Sequence, residues 1–214
     1  MRIDYVFDDG GMNLLSSAAL RRIRDALPEN ASLFVFRSGR PNLFAAGADM
    51  SEMQRFTPFQ AYEFARLGQE LFATIERLSC VTVALIDGDC FGGALDLTLA
   101  FDLRFATPRS RFAHPGARLG IVTGFGGTSR WRGVISRRAA NQLFLANRMF
   151  SASEAFEMGL VDRVGDSFEA ELARLESDEA RMIKQLTIGA DALTREQLWS
   201  AAARPPLSNA CQEP

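Results

Sequence analysis

VTVALIDGDCFGGALDLTLAFD, running from Val81 to Asp102, decides how the rest of the chain is read. Val81 to Ile86 is apolar and largely β-branched, which predicts a strand buried on both faces. Asp87-Gly88 ends it. After Gly92-Gly93, the apolar run from Ala94 to Phe101 is expected to be helical. Paired glycines between a strand and a helix let the backbone come close to a neighbour, because no Cβ holds it away. The N–H groups of a first helical turn have no partner within the helix and carry partial positive charge. Such a turn can hold an anion, or an oxygen on which charge develops during a reaction. Glycine-rich turns are also common without any chemistry, so this stretch alone leaves both readings open.

Upstream, Phe64, Leu67, Leu71, Ile75 and Leu78 recur at helical spacing, and the stripe reads as core. Thr57, Pro58 and Gln60 supply an N-cap, a first-position proline and a capping box for that helix. Before it lies LFAAGADM, Leu43 to Met50, a second glycine-bearing run of small residues, with Asp49 placed to cap the next segment. Earlier still, Ile3–Phe7 and Leu33–Phe36 are expected strands joined by a helix from Ser17 to Leu27, an economical parallel βαβ unit. Two small-residue turns therefore follow two strands of what should be one sheet. In open α/β sheets ligands gather beyond the carboxyl ends of strands. Each turn could supply one N–H to a shared oxygen, and a thioester carbonyl becoming an enolate suits such a pair.

The 214 residues suffice for one sizeable core, and 47% of them are apolar, so the chain is expected to be globular. A net charge of −2 without blocks of one sign gives no argument for nucleic acid or an anionic membrane surface. There is no N-terminal signal pattern and no apolar run long enough to span a bilayer. Cys80, Cys90 and Cys211 form neither a CxxC pair nor an even disulfide set, which predicts a reducing, cytoplasmic location. With His114 as the single histidine, a His-rich metal site is excluded.

LFAAGADM together with DGDCFGGALDLTLAFDLRFAT (Asp87 to Thr107) resembles the crotonase, or enoyl-CoA hydratase/isomerase, superfamily. FAHPGARLGIVTGFGGTSRW (Phe112 to Trp131) and LFLANRMFSASEAFEMGLVDRV (Leu143 to Val164) extend the resemblance over roughly Ile3 to Val164. It implies a crotonase-like α/β fold of stacked ββα superhelical turns with C-terminal helices. The division would be a core over residues 1–165, with an abbreviated helical segment of the same domain over 166–214. It implies a lyase or isomerase acting on an acyl-CoA or similar acyl thioester, with the amides of Ala48 and Gly93 as the oxyanion hole. By the same analogy the backbone around Ala46, Ala48, Asp49 and Met50 borders the CoA adenine, while Gly92, Gly116, Thr123, Gly124 and Phe125 contact substrate. No metal or redox cofactor is implied beyond the CoA of the substrate, and relatives are commonly trimers or dimers of trimers.

The departures from the family pattern carry as much information. Two glutamates are usual; here the first position is Asp96 and the second is Gly116, which has no side chain. General-base work needs a group within hydrogen-bond reach, so hydration by two carboxylates is in doubt. Thr123, where some relatives place an aspartate, is not a base near neutral pH. Asp96 is expected to face the cleft and move a proton, although an aspartate in a first helical turn is favoured by the dipole in any case. His114 reads as a pocket wall or structural residue with a base as the sharper alternative, and Cys90 as a buried, inert thiol. Ser51 replaces a lysine that relatives often carry. Arg130, Arg132, Arg137 and Arg138 are expected on a solvated or inter-subunit face. Two alternatives stand beside the leading reading. One is an anion- or substrate-assisted C–C lyase, decarboxylase or synthase of the naphthoate-synthase type. The other is a catalytically degenerate paralogue that binds CoA thioesters.

Overall fold

In the computed structural model, residues 1–187 are described; a short helical pattern that the sequence carries over Arg195–Ala203, and the tail, lie outside them. The chain opens with β1 (Arg2–Phe7), β2 (Leu14–Leu15) and α1 (Ser17–Asp25), the helix capped by the Ser16 hydroxyl, which accepts from Ala19 N–H at 3.1 Å. β3 (Leu33–Ser38), β4 (Leu43–Ala45) and β5 (Gly47–Ala48) lead into the short α2 (Met50–Met53). α3 (Pro58–Glu76) begins where its sequence predicts: Thr57 and Gln60 form the reciprocal capping box and Pro58 is the first helical residue. A cap of this kind is worth about 1 kcal/mol.

β6 (Val81–Ile86) is the predicted buried strand. After it comes β7 (Asp89–Phe91), a strand where the sequence pattern suggests only a turn, and then α4 (Gly93–Thr98). β8 (Leu103–Ala106) and β9 (Arg111–Ala113) come next, then the short helices α5 (Gly127–Arg130) and α6 (Arg137–Ala140). β10 (Phe150–Ser151), α7 (Ala152–Glu157) and β11 (Arg163–Val164) complete this part, and Ser151 and Glu154, at the sequence spacing of a capping box, form a second one. The helical pattern that the sequence carries over Phe168–Leu186 forms two helices, α8 (Glu169–Leu175) and α9 (Asp178–Thr187), broken at Glu176-Ser177.

The strands sort into two main sheets. β1-β3-β6-β8-β11 form a five-stranded parallel sheet. β10-β9-β7-β4 form a second, parallel but for its β9–β10 edge, and β2 pairs with β5. Consecutive strands β3/β4, β6/β7 and β8/β9 therefore divide between the two sheets. Period-2 alternation separates the faces of the first. Phe34, Phe36, Ala84, Ile86 and Ala106 point into the main core, while Leu33, Val35, Val81, Val83 and Phe105 point outward, where Phe168, just before α8, and Leu172 within it cover them.

One arginine departs from its expected place. Arg130 is not solvated: its guanidinium binds Glu76 of α3 at 2.8 Å and the Phe125 carbonyl at 2.8 Å. It ties α5 and the loop before it to α3.

Candidate active site

The register of β4 and β7 brings the two small-residue turns together. Ala45 stands opposite Cys90 in this parallel pair, and three residues beyond each come Ala48 and Gly93. Gly47 between them adopts a φ of +104°, which side chains rarely tolerate. A Cβ there would lie 2.8 Å from the Phe91 carbonyl oxygen and 3.3 Å from the Gly93 nitrogen. In the same way, a Cβ on Gly93 would lie 3.4 Å from the Ala48 nitrogen. The turns thus meet backbone against backbone. The Asp49 N–H donates to Leu15 at 3.3 Å, so alternation along the strand turns the preceding Ala48 N–H away from β2. Gly93 opens α4, so its N–H has no acceptor within that helix. Such an arrangement can offer two amide hydrogens to one oxygen.

A cavity of about 300 Å³ opens at this junction. Ala46, Ala48, Gly92 and Gly93 form one wall, with Met50 nearby. The segment from His114 to Gly116, with Thr123, Gly124 and Phe125, forms the opposite side. Nine of the sequence-derived candidates are therefore brought together. Asp49 stands apart from them as the cap of α2, its carboxylate accepting from Ser51 and Glu52 N–H groups at 2.9 and 3.0 Å.

The expectation that Asp96 faces the cleft is not met. α4 carries its carboxylate into the seam with α5, where it is fully buried and absent from the cavity wall. Space for it exists because residue 127 is glycine: a Cβ there would lie 1.7 Å from Asp96 Oδ1. The Thr123 hydroxyl donates to Asp96 Oδ2, and His114 Nε2 lies 3.3 Å from Oδ1. Thr123 and His114 are thus the groups through which Asp96 meets the cavity. His114 is buried and lines the cavity wall.

Gly116 is enclosed rather than open. A Cβ on it would lie 2.9 Å from the Ile121 carbonyl oxygen, and 3.2 and 3.3 Å from Cε1 and Nδ1 of His114. Cys90, fully buried in β7, has its thiol pushed well above the ordinary range, first by burial and then by the negative charge of Asp96. It is the inert thiol expected from sequence.

Several lining residues carry no functional mark in the sequence pattern. Phe64, which its spacing places wholly in the core, also borders the cavity, as do Met53, Phe56 and Ala61. A usable signal is present: Ala61, Ala65 and Gly68 recur at i, i+4 and i+7, a small-residue face on α3. A Cβ on Gly124 would lie 2.9 Å from Ala65 Cβ, so this face receives the loop that carries Phe125. Among the described residues, no three His, Cys, Asp or Glu side chains come together in a group able to hold a metal ion, and no helix is long and apolar enough to cross a membrane.

Comparison with known proteins agrees with this architecture. Crotonyl-CoA hydratase of Syntrophomonas wolfei is 35% identical over 166 residues, 75% of this chain and 64% of that protein. Short-chain-enoyl-CoA hydratase of Clostridium acetobutylicum is 35% identical over 126 residues, 59% of this chain and 48% of that protein. The chain thus spans less than two thirds of the length of either relative. Among solved structures, Pseudomonas aeruginosa DspI superimposes with a TM-score of 0.80 at 28% identity, covering 88% of this chain and 83% of the other. Enoyl-CoA hydratase from Bacillus anthracis shares the fold with a TM-score of 0.82 at 23% identity, covering 94% and 85%. Residues 17–200 match the family described as enoyl-CoA hydratase/isomerase, and the chain belongs to that family, within the crotonase superfamily.

Proposed function

We propose that this protein processes enoyl-CoA thioesters, as a lyase or isomerase whose enolate intermediate is held by the amides of Ala48 and Gly93. The observation that carries the reading is the backbone contact between the two turns, with a Cβ on Gly93 falling 3.4 Å from the Ala48 nitrogen at the cavity wall. Preorganised donors of this kind favour charge that develops on a thioester oxygen and need no reorganisation when it arrives. The apolar wall of Met53, Phe56, Phe64 and Phe125 suits an acyl chain. Small residues Ala46, Gly47 and Ala48, with Met50 and Asp49 beside them, leave the thioester arm of CoA room to approach this backbone. The buried Asp96 belongs to the proton-transfer machinery through its contacts with Thr123 and His114. The chemistry calls for no cofactor besides the CoA carried by the substrate.

In this reading the turns stack as the superhelix usual for the superfamily, and the chain assembles as a homotrimer or hexamer in the cytoplasm. Exposed Leu145 and Phe156 offer apolar surface for subunit contact, and the free thiols Cys80 and Cys90 suit a reducing compartment.

The test is hydration of crotonyl-CoA, with deuterium exchange at the α-carbon of butyryl-CoA in heavy water, for wild type and Gly93→Ala. The added methyl would lie 2.9 Å from the Phe125 ring and 3.4 Å from the Ala48 nitrogen, so the ring or the turn must shift and the paired amides lose their alignment. The N–H itself is kept but misaligned, so the expected loss is up to the about 10²–10³ in kcat found when one such donor is removed outright. Exchange at the wild-type rate in Gly93→Ala would remove the amide pair from the mechanism.

A further inference from the structure

We infer that His114, oriented by Asp96, carries the proton in this reaction, doing the work that a side chain at position 116 does not supply. The inference rests on the enolate reading above and names the group that moves the proton within it.

The geometry has three parts. His114 forms part of the cavity wall at 4% exposure, with the fully buried Asp96 directly behind it. Its Nε2 lies 3.3 Å from Asp96 Oδ1 without hydrogen-bond alignment, and both atoms are buried with no hydrogen-bond partner among the described residues. A buried donor or acceptor left unpaired costs about 1–3 kcal/mol, so two such atoms facing one another favour a proton shared between them. With the proton on Nε2, Nδ1 keeps its lone pair.

The adjoining Cε1–Nδ1 edge of the ring meets Gly116. Cε1 and Nδ1 lie 3.2 and 3.3 Å from where a Cβ on that glycine would project. The imidazole thus borders the space that a side chain on residue 116 would enter. Its plane is held by the Phe144 ring, with centroids 4.8 Å apart. Asp96 is in turn fixed by the Thr123 hydroxyl on Oδ2.

Hydration of a 2-enoyl thioester then proceeds without any further reagent. His114 Nδ1 takes a proton from water as the water oxygen bonds to Cβ. The π electrons of the double bond move toward the carbonyl, and the resulting enolate oxygen is met by the Ala48 and Gly93 amides. The imidazolium, its charge balanced by Asp96, returns the same proton to Cα, and the thioester carbonyl re-forms. One water is added and nothing is oxidised or reduced. His114 is the catalytic residue; Asp96 and Thr123 are positioning residues.

From the elements packed on the ring, the charged group facing it is Asp96 of α4. β7 contributes the neutral Cys90 thiol beside Asp96, the π-helical segment Asn141–Leu145 contributes Phe144, and the loop before α5 contributes the Thr123 hydroxyl.

The experiment measures crotonyl-CoA hydration against pH for wild type, His114→Gln, His114→Ala and Asp96→Asn, with butyryl-CoA binding measured by calorimetry. His114→Gln is expected to lose about 10²–10⁴ in kcat, the usual worth of a positioned acid–base group, while still binding butyryl-CoA. Asp96→Asn is expected to lower kcat while leaving butyryl-CoA binding and KM close to wild type, because the imidazolium loses its counter-charge in the transition state. Added imidazole is expected to restore part of the rate of His114→Ala. Wild-type turnover and an unchanged acid limb in His114→Gln would overturn the inference while leaving the enolate reading intact. Failure of imidazole to rescue a folded His114→Ala would also overturn it. A wild-type protein that neither hydrates crotonyl-CoA nor binds butyryl-CoA would overturn both.

Discussion

Gly68 of α3 and the ring of Phe125 fit so closely that a Cβ on the glycine would fall 2.2 Å from Phe125 Cδ1. The same ring packs against Phe64 at 5.1 Å and Phe72 at 5.5 Å between centroids, and its far edge rests on Gly93. Phe125 is therefore a wedge between α3 and the turn that opens α4. Its carbonyl is held by Arg130, which is anchored in turn on Glu76 of α3. The position of the Gly93 amide thus depends on how α3 seats this ring.

Gly68→Ala decides between two opposed effects. Helix propensity alone favours alanine by roughly 0.5–1 kcal/mol. Overpacking a filled core costs about 1–3 kcal/mol, and here the clash is with a ring fixed on several sides. Overpacking should win, giving a net loss of about 1–2 kcal/mol in urea unfolding and a fall in crotonyl-CoA turnover. A stabilised variant with full activity would show that Phe125 yields freely and positions nothing.

Much of this site is legible in the sequence because its parts are local. β6 announces itself by composition, Thr57 and Ser151 by their capping boxes, and the Ala48 and Gly93 turns by small residues after strands. The hidden parts depend on packing across the chain. β7 is only three residues long, and it exists because β4 and β9 pair with it on either side. Asp96 has the spacing of a cleft residue, yet Gly127, thirty-one positions later, makes the room that draws its carboxylate inward. Asn13 gives no sequence signal at all. Its buried amide donates to the Phe7 and Phe44 carbonyls at 3.1 and 3.0 Å and to the Ser38 hydroxyl at 2.8 Å, joining the ends of β1, β3 and β4. A single polar residue whose partners lie up to thirty-one positions away cannot be found by periodicity.

Lys184 anchors α9 from inside. Its ammonium lies 2.8 Å from Asp102 Oδ2 and donates to the Cys80 carbonyl at 2.8 Å. Asp102 also accepts from the Thr82 N–H and hydroxyl at 2.7 and 2.9 Å. Breaking a buried pair by removing one partner typically costs about 3–5 kcal/mol. Because Asp102 keeps its Thr82 bonds, Lys184→Met is expected near the lower limit, about 3 kcal/mol in urea unfolding. Asp102→Asn in the same background should cost less than it does alone, with a coupling above about 1 kcal/mol. Additive effects would mean that the two charges do not interact.

Cys90 gives the fold an alkaline weakness. Its thiol is completely buried, and burial first, then the charge of Asp96, raises its pKa well above the ordinary value, with its Thr98 partner opposing. A group whose folded pKa is raised keeps its full contribution below the unfolded pKa, about 8.5 for a thiol, and loses it as pH rises from there toward the folded value. The unfolded chain releases a proton in that window that the folded chain retains. Stability in urea should therefore hold steady from about pH 7 to 8 and then fall by up to about 1.4 kcal/mol per pH unit for this thiol. Cys90→Ala should remove that part of the slope while costing stability at neutral pH through the space it leaves. Alkylation offers an independent measurement. Iodoacetamide at mildly alkaline pH should leave Cys90 unmodified in the folded protein and modify it once urea unfolds the chain, as read by peptide mass mapping. Rapid labelling of Cys90 in the folded state would mean that β7 opens to solvent, and that the strand carrying the Gly93 turn is less firmly held than its pairing on both edges requires.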